Sequence, residues 1–165
     1  MKTYIIDGYN LLWKLLPEKM ELVELEGSRQ ELEGRLIEFI SLIGKARIIL
    51  VYDGRGGGSS LSRSRWGIRS CFTPGGVTAD EQILDYAEEY SGKGEVFIVT
   101  SDLKDIARRL GGNRVTHIKS EAFIEMLSGT LNKSSMEDSP DGSEKPSSLK
   151  GDEIDAWLQE FDLKD

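Results

Sequence analysis

Short apolar runs alternate along this chain with longer stretches in which apolar residues recur every three or four positions. Residues 2–6 (KTYII) read as a short buried strand, and Glu26–Ile43 reads as a helix, with Leu32, Leu36, Phe39, Ile40 and Ile43 at helical spacing. RIILVYD (47–53) predicts a second strand, and GIRSCF (67–72) a short third one at an edge of the sheet. TADEQILDYAEEY (78–90) predicts a helix that places Ile83, Leu84 and Ala87 together and opens on a capping box, Thr78 with Glu81. EVFIVTSD (95–102) is another apolar strand, followed by a helix to about Leu110. NRVTHIK (113–119) then reads as a strand and SEAFIEMLSG (120–129) as a helix ending near Gly129. Strands separated by helices predict an α/β fold, a three-layer α/β/α sandwich around a mainly parallel central sheet.

From Leu131 to Gly151 the chain is mostly Ser, Pro, Asp, Gly, Lys and Glu, which predicts a flexible polar linker. Beyond it, DEIDAWLQEFDL brings Ile154, Trp157, Leu158 and Phe161 to helical spacing. Residues 152–165 are therefore expected to form a short acidic amphipathic helix, docked on its own domain or tethered as a partner-binding or site-covering motif. The expected organisation is one domain over 1–130, a linker over 131–151 and this terminal helix.

The acids fall in a telling place. In a parallel sheet all strand carboxyl ends share one edge, and ligands bind in the crevice outside it. Asp7 ends the first strand, Asp53 the second and Asp102 the strand VFIVTS, while Asp80 and Glu81 open a helix that starts at the same edge. Each residue has a structural reading: Asp53-Gly54 as a turn, Asp102 as a helix cap, Thr78 to Glu81 as a capping box alone. Three apolar strands all ending in Asp point jointly to a site. Asn10 is either an uncharged ligand or phosphate contact, or a helix cap. Asp105, one turn after Asp102, is either an outer ligand or a solvated acid.

Clustered carboxylates repel one another, and a divalent cation removes that cost. An oxygen-only set without His or Cys suits Mg²⁺ or Mn²⁺ rather than zinc. The single cysteine, Cys71, excludes an internal disulfide and a Cys-x-x-Cys metal or redox site. The single histidine, His117, reads as a strand side chain, and one histidine excludes a ribonuclease mechanism built on two. What remains is metal-assisted hydrolysis of a phosphodiester. The glycine run DGRGGGSS lacks the Lys-Ser/Thr pair of a P-loop. A phosphoacceptor receiver would carry paired acids after its first strand, and a haloacid-type phosphatase a second Asp where Tyr9 stands.

Charge sharpens this picture. The chain of 165 residues carries a formal net charge of −8, of which −6 lies in residues 132–165. Between Arg55 and Ala79 there are four arginines, Arg55, Arg63, Arg65 and Arg69, and no acid, with Trp66 and Phe72 interleaved. Beside a metal site, an arginine-bearing loop with an aromatic suits a single-stranded polyanion. No run reaches the roughly 18 apolar residues of a membrane span, no secretory leader pattern opens the chain, and a cytoplasmic location is expected.

In this order, YIIDGYNLL, ILVYDG, FTPGGVTADEQI and VFIVTSD resemble the NYN domain of the YacP-like group, a branch of the PIN-like nucleases, over about residues 1–128. The resemblance implies a PIN-like fold and a metal site at Asp7, Asn10, Asp53, Asp80 and Asp102, with Mg²⁺ or Mn²⁺ as cofactor. It also implies endonucleolytic cleavage of single-stranded RNA, with a ribosome or messenger RNA as partner in RNA processing or decay. Glu81 stands where many relatives have a second acid, and is read as a metal ligand or as a residue on the helix surface. Arg55, Arg63, Arg65, Arg69, Asn10 and Ser101 are the expected substrate contacts. The rival reading is a non-catalytic RNA-binding module of the same fold.

Overall fold

The computed structural model describes residues 1–17, 25–54, 62–102, 106 and 115–137. Among them run β1 (Lys2–Asp7), α1 (Gly8–Leu15), α2 (Leu25–Ile43), β2 (Ala46–Tyr52), β3 (Ser62–Arg65), β4 (Ile68–Phe72), α3 (Ala79–Ser91), β5 (Glu95–Val99), β6 (Val115–Ile118) and α4 (Ser120–Glu137). The expected C-terminal helix, the linker beyond residue 137, the helix body after Asp102, Asp105 and Arg55 lie outside the described residues.

Six strands form one sheet in the order β3-β4-β2-β1-β5-β6. All neighbours pair in parallel except β3 and β4, which form an antiparallel hairpin. The near-continuous apolar runs of β1, β2 and β5 follow from burial on both faces. Period-2 alternation sends Tyr4, Ile6, Leu50, Tyr52, Phe97 and Val99 to one face, under α1, α2 and α4. Ile5, Ile49, Val51, Val96 and Ile98 face the other way, against Ile83, Ala87 and Tyr90 of α3. This is the expected three-layer PIN-like sandwich. Tyr4 anchors the larger core, stacked on Phe97 at 5.0 Å between ring centres and tilted against Phe123.

The same alternation fixes where two of the acids stand. Asp7 continues the parity of Thr3 and Ile5, and Asp53 that of Ile49 and Val51, so both fall on the α3 side of the sheet. β1 lies between β2 and β5; the chain leaves it on one side towards β2, and on the other side β5 leads out to β6. The crevice at their carboxyl ends is thus the reversal point at which such sheets bind ligands.

Three expectations need correction. The stretch expected to be an arginine-rich loop contains the β3–β4 hairpin. β4 is an interior strand because β3 covers it, so the edge belongs to β3. The last helix does not stop near Gly129 but runs to Glu137, so residues 131–137 are not linker. Leu131 packs against the larger core, and Thr130 and Ser135 hydroxyls donate back to the carbonyls of Met126 and Leu131, which satisfies these polar side chains inside the helix.

Candidate active site

Asp7 is the centre of the carboxyl edge. Its φ of −67° and ψ of 101° end the strand, and its Oδ1 accepts the Asn10 backbone N–H at 3.0 Å, so it also caps α1. The next residue, Gly8, lies against the Tyr52 ring. A Cβ there would stand 2.4 Å from a ring carbon, so only glycine lets α1 start this close to β2. Burial drives the Asp7 carboxyl up to about 6; the Asn10 N–H opposes this, and the negative charges of Asp80, Asp53 and Asp102 add to it. The structure therefore brings the four expected aspartates into one electrostatic neighbourhood. Among the described residues, no three His, Cys, Asp or Glu side chains stand close enough together to enclose a metal ion.

Asp53 follows β2 and is held through β4. The Thr73 hydroxyl donates to Asp53 Oδ1 at 3.4 Å and accepts the Gly54 N–H at 2.9 Å, while the Thr73 N–H donates to the Tyr52 carbonyl. A Cβ on Gly54 would meet the Thr73 carbonyl oxygen at 2.1 Å, so this contact also requires glycine. Asp102 is exposed, and its N–H donates to the buried Thr100 hydroxyl at 3.2 Å. Asp80 sits in the first turn of α3.

Glu81 was read as a metal ligand or as a residue on the helix surface, and in the structure it caps α3. Thr78 and Glu81 form the expected capping box: the Glu81 carboxylate accepts the Thr78 N–H at 2.9 Å, and the Thr78 hydroxyl accepts the Glu81 N–H.

Asn10 and Ser101 are also placed, with roles the sequence did not resolve. Asn10 Oδ1 accepts the Ser101 N–H at 3.1 Å and the Ser120 hydroxyl at 2.7 Å. One amide thus ties α1, the end of β5 and the start of α4, the segments that carry Asp7 and Asp102. The Ser101 hydroxyl donates to Glu121, which also pairs with Lys14 of α1. The Lys14 ammonium holds the Glu121 carboxyl below its usual range. Ser120, Glu121, Lys14 and Thr73 were not foreseen. The only sequence signal for the first two is that SE follows the β6 strand end as SD follows β5.

Of the expected arginines, Arg65 and Arg69 do not stand at this edge. Arg69 lies opposite Ile49, four residues and about 13 Å below Asp53, and stacks over Tyr86 of α3 at 5.5 Å. Arg63 pairs with Ser70 in the hairpin, and Arg65 with Ile68, level with Ile48 at the far end of β2. Trp66 is beyond Arg65, so it cannot stack on a base held at the acids. The physical reason is the hairpin: β4 runs parallel to β2, so the turn before it must lie at the amino end. His117 is a strand residue, as expected, with Nε2 3.0 Å from the Thr100 carbonyl.

A mainly parallel sheet sandwiched by helices, with aspartates from successive strand ends at its reversal point, defines a PIN-like domain. The sequence profile of the YacP-like NYN domain matches residues 4–160, and the chain belongs to that family. The match runs past residue 128, where the motif resemblance stops, and takes in most of the acidic tail. Two crystal structures of Rae1 (YacP) from Bacillus subtilis, one of a single-site mutant, are similar to this chain with TM-scores of 0.69 and 19% identity. The mutant structure aligns over 83% of this chain and 81% of that one, the other over 82% and 79%. Among curated proteins none matches significantly. NYN domains belong to a nuclease superfamily whose members generally use divalent metals. No helix among the described residues is long and apolar enough to cross a membrane.

Proposed function

We propose that the protein is a divalent-metal-dependent endoribonuclease that hydrolyses phosphodiester bonds of single-stranded RNA, including messenger RNA presented on a ribosome in the cytoplasm. The observation that carries this reading is the buried Asp7 carboxyl at the reversal point of the sheet, raised first by burial and further by the charges of Asp80, Asp53 and Asp102. A carboxyl at about 6 surrounded by three like charges is an unfavourable arrangement for a purely structural role, and it is the donor chemistry a hard cation relieves. Asp7, Asp80 and Asp102 would hold Mg²⁺ or Mn²⁺, with Asp53 contributing from β2. The metal supplies activation of a water and stabilisation of the leaving oxygen.

This chain's own residues do the remaining work. Asn10 sets the spacing between the β1 and β5 ends, Thr73 holds Asp53, and the Thr100 hydroxyl fixes the backbone at Asp102. Glu81 serves by capping α3, which keeps Asp80 in place. A second reading is a non-catalytic RNA-binding module of the same fold. Cleavage of a mixed-sequence single-stranded RNA, measured with Mn²⁺, with EDTA and with Asp7→Asn, decides between them. The nuclease cuts only with both metal and Asp7; the binding module retains RNA affinity and cuts under no condition.

A further inference from the structure

The opposite edge of the sheet carries features that the proposed active site does not use. The β3–β4 hairpin turns in two residues, Trp66 and Gly67, with φ of 51° and 84°. Two successive left-handed residues make the tight turn that suits the twist of paired strands, and Asn, Asp or Gly is the usual first residue. Here it is a tryptophan, the side chain that tolerates that backbone poorly, and 72% of its surface is exposed. One element away, Lys45 also holds a positive φ, 44°, in the turn from α2 into β2. These are the positive-φ residues other than glycine among the described part of the chain, and both stand at the amino edge.

The charge of this edge is opposite to that of the other. Lys2, Lys45 and Arg47 begin β1 and β2, Lys93 precedes β5, and Arg65 precedes Trp66. Glu95 begins β5, and Glu89 is already paired with Lys93. Arg47 and Lys93 both lie over the Tyr90 ring, at 5.1 and 4.8 Å, so this part of the surface is built rather than splayed. The hairpin is joined to it by the bond from the Ile48 N–H to the Gly67 carbonyl. From there to Asp53 is five residues of strand, about 16 Å.

We propose that the amino edge, with Trp66 as its aromatic contact and Arg65 and Lys45 as its cations, is a second RNA-binding surface that holds an unpaired stretch of substrate remote from the scissile bond. Charge complementarity selects a polyanion, and an exposed tryptophan selects one whose bases are unpaired, since base–aromatic stacking needs a free base face. The inference rests on RNA being the substrate.

Trp66→Asn is the informative variant, because asparagine adopts the left-handed turn readily while removing the ring. Binding is measured for the full chain and for Trp66→Asn, Arg65→Glu and Lys45→Glu, with an RNA of about six nucleotides, a single strand of roughly thirty and a duplex of that length. Cleavage of the short RNA is measured in parallel. The expected result is a roughly tenfold or larger loss of affinity for the long single strand in Trp66→Asn, a much smaller change for the duplex, and unchanged turnover of the short RNA by Trp66→Asn and Lys45→Glu. The charge reversals should each flatten the dependence of log affinity on log salt by about 0.7. Short-RNA cleavage with long-strand affinity untouched by all three substitutions overturns this surface and leaves the nuclease reading standing. Failure of the unmodified protein to bind or cut any of the RNAs overturns both.

Discussion

The two edges of the sheet are made by the same strands and have opposite characters. At the carboxyl edge, Asp7, Asp53 and Asp102 end three buried strands, joined by Asp80 at the start of α3, and burial raises the Asp7 carboxyl with the charges of the other three adding to it. At the amino edge, cations precede the same strands and an exposed tryptophan occupies a strained turn. Parallel strands make this polarity possible, because every carboxyl end points one way. A chain with a net charge of −8 can thus carry a cluster of acids and a cluster of cations at opposite ends of the same strands, about one strand length apart. Overall charge is a poor guide to partner here; its placement along the strand axis is the useful quantity.

The most severe way to break the comparison is Asp102→Asn. Asp102 is exposed, and its N–H bond to Thr100 survives the substitution. Cleavage should fall by on the order of a thousandfold, beyond the ~10–100-fold that follows loss of a group that merely orients a ligand. The thermal midpoint should hold or rise. Loss of folding in this variant would make Asp102 a structural residue and weaken the contrast between the edges.

Asp7→Asn tests the electrostatics directly. The folded carboxyl sits near 6 against 3.8 unfolded, so between these values the native state binds more protons than the unfolded one. Stability from this group is therefore highest below about pH 4 and declines as pH rises through 6. The penalty at pH 7 is about 3 kcal/mol at most, from a shift of about two units. Asparagine keeps an oxygen for the Asn10 N–H and removes the charge, so the variant should be more stable than the natural protein at pH 7 and lose that advantage near pH 4. Mn²⁺ should raise the midpoint of the natural protein and have little effect on Asp7→Asn. Denaturant titrations at the two pH values, with and without metal, measure all of this; equal stability at both sinks the coupling.

Much of the carboxyl edge was legible because one rule governs it. An apolar run that ends in Asp declares both a buried strand and the edge where it stops, and period-2 parity then says which face receives Asp7 and Asp53. The amino edge was illegible for a local reason. Trp66-Gly67 is a two-residue hairpin turn without the Asn or Asp that advertises one, so the arginines around it read as a loop beside the acids. Turning the chain there moved Arg65 and Trp66 to the other end of β2 and aligned Arg69 with Tyr86. Glu81 was legible twice over, as capping partner and as ligand, and the structure gives it the first role. The overrun of α4 to Glu137 had no readable signal, because Ser and Thr bond back to helical carbonyls only once the helix has formed.

Asn10→Ala sharpens the view of the carboxyl edge as an assembly of separate segments. The substitution strands the Ser101 N–H and the Ser120 hydroxyl, which both donate to the lost oxygen. The cost is about 1–3 kcal/mol in stability. Cleavage should fall ~10–100-fold, since the ends of β1 and β5 lose their shared tie while every carboxylate remains. A complete loss equal to that of Asp102→Asn would instead make Asn10 a direct ligand.

The smallest effect is the stability change in Trp66→Asn, and its sign carries the argument. If Trp66 were present for the fold, replacing it would cost packing; yet 72% of it is exposed, and its backbone pays for a left-handed conformation that asparagine adopts with less strain. The variant should therefore gain up to about 1 kcal/mol, read as a small upward shift of the denaturant midpoint with an unchanged slope. A gain in stability joined to a loss of long-RNA affinity would mean that the turn holds a side chain unfavourable to folding because binding needs it there. A loss of stability would place Trp66 among the supports of the hairpin, and the amino edge would then be a structural margin of the sheet instead of a second contact surface.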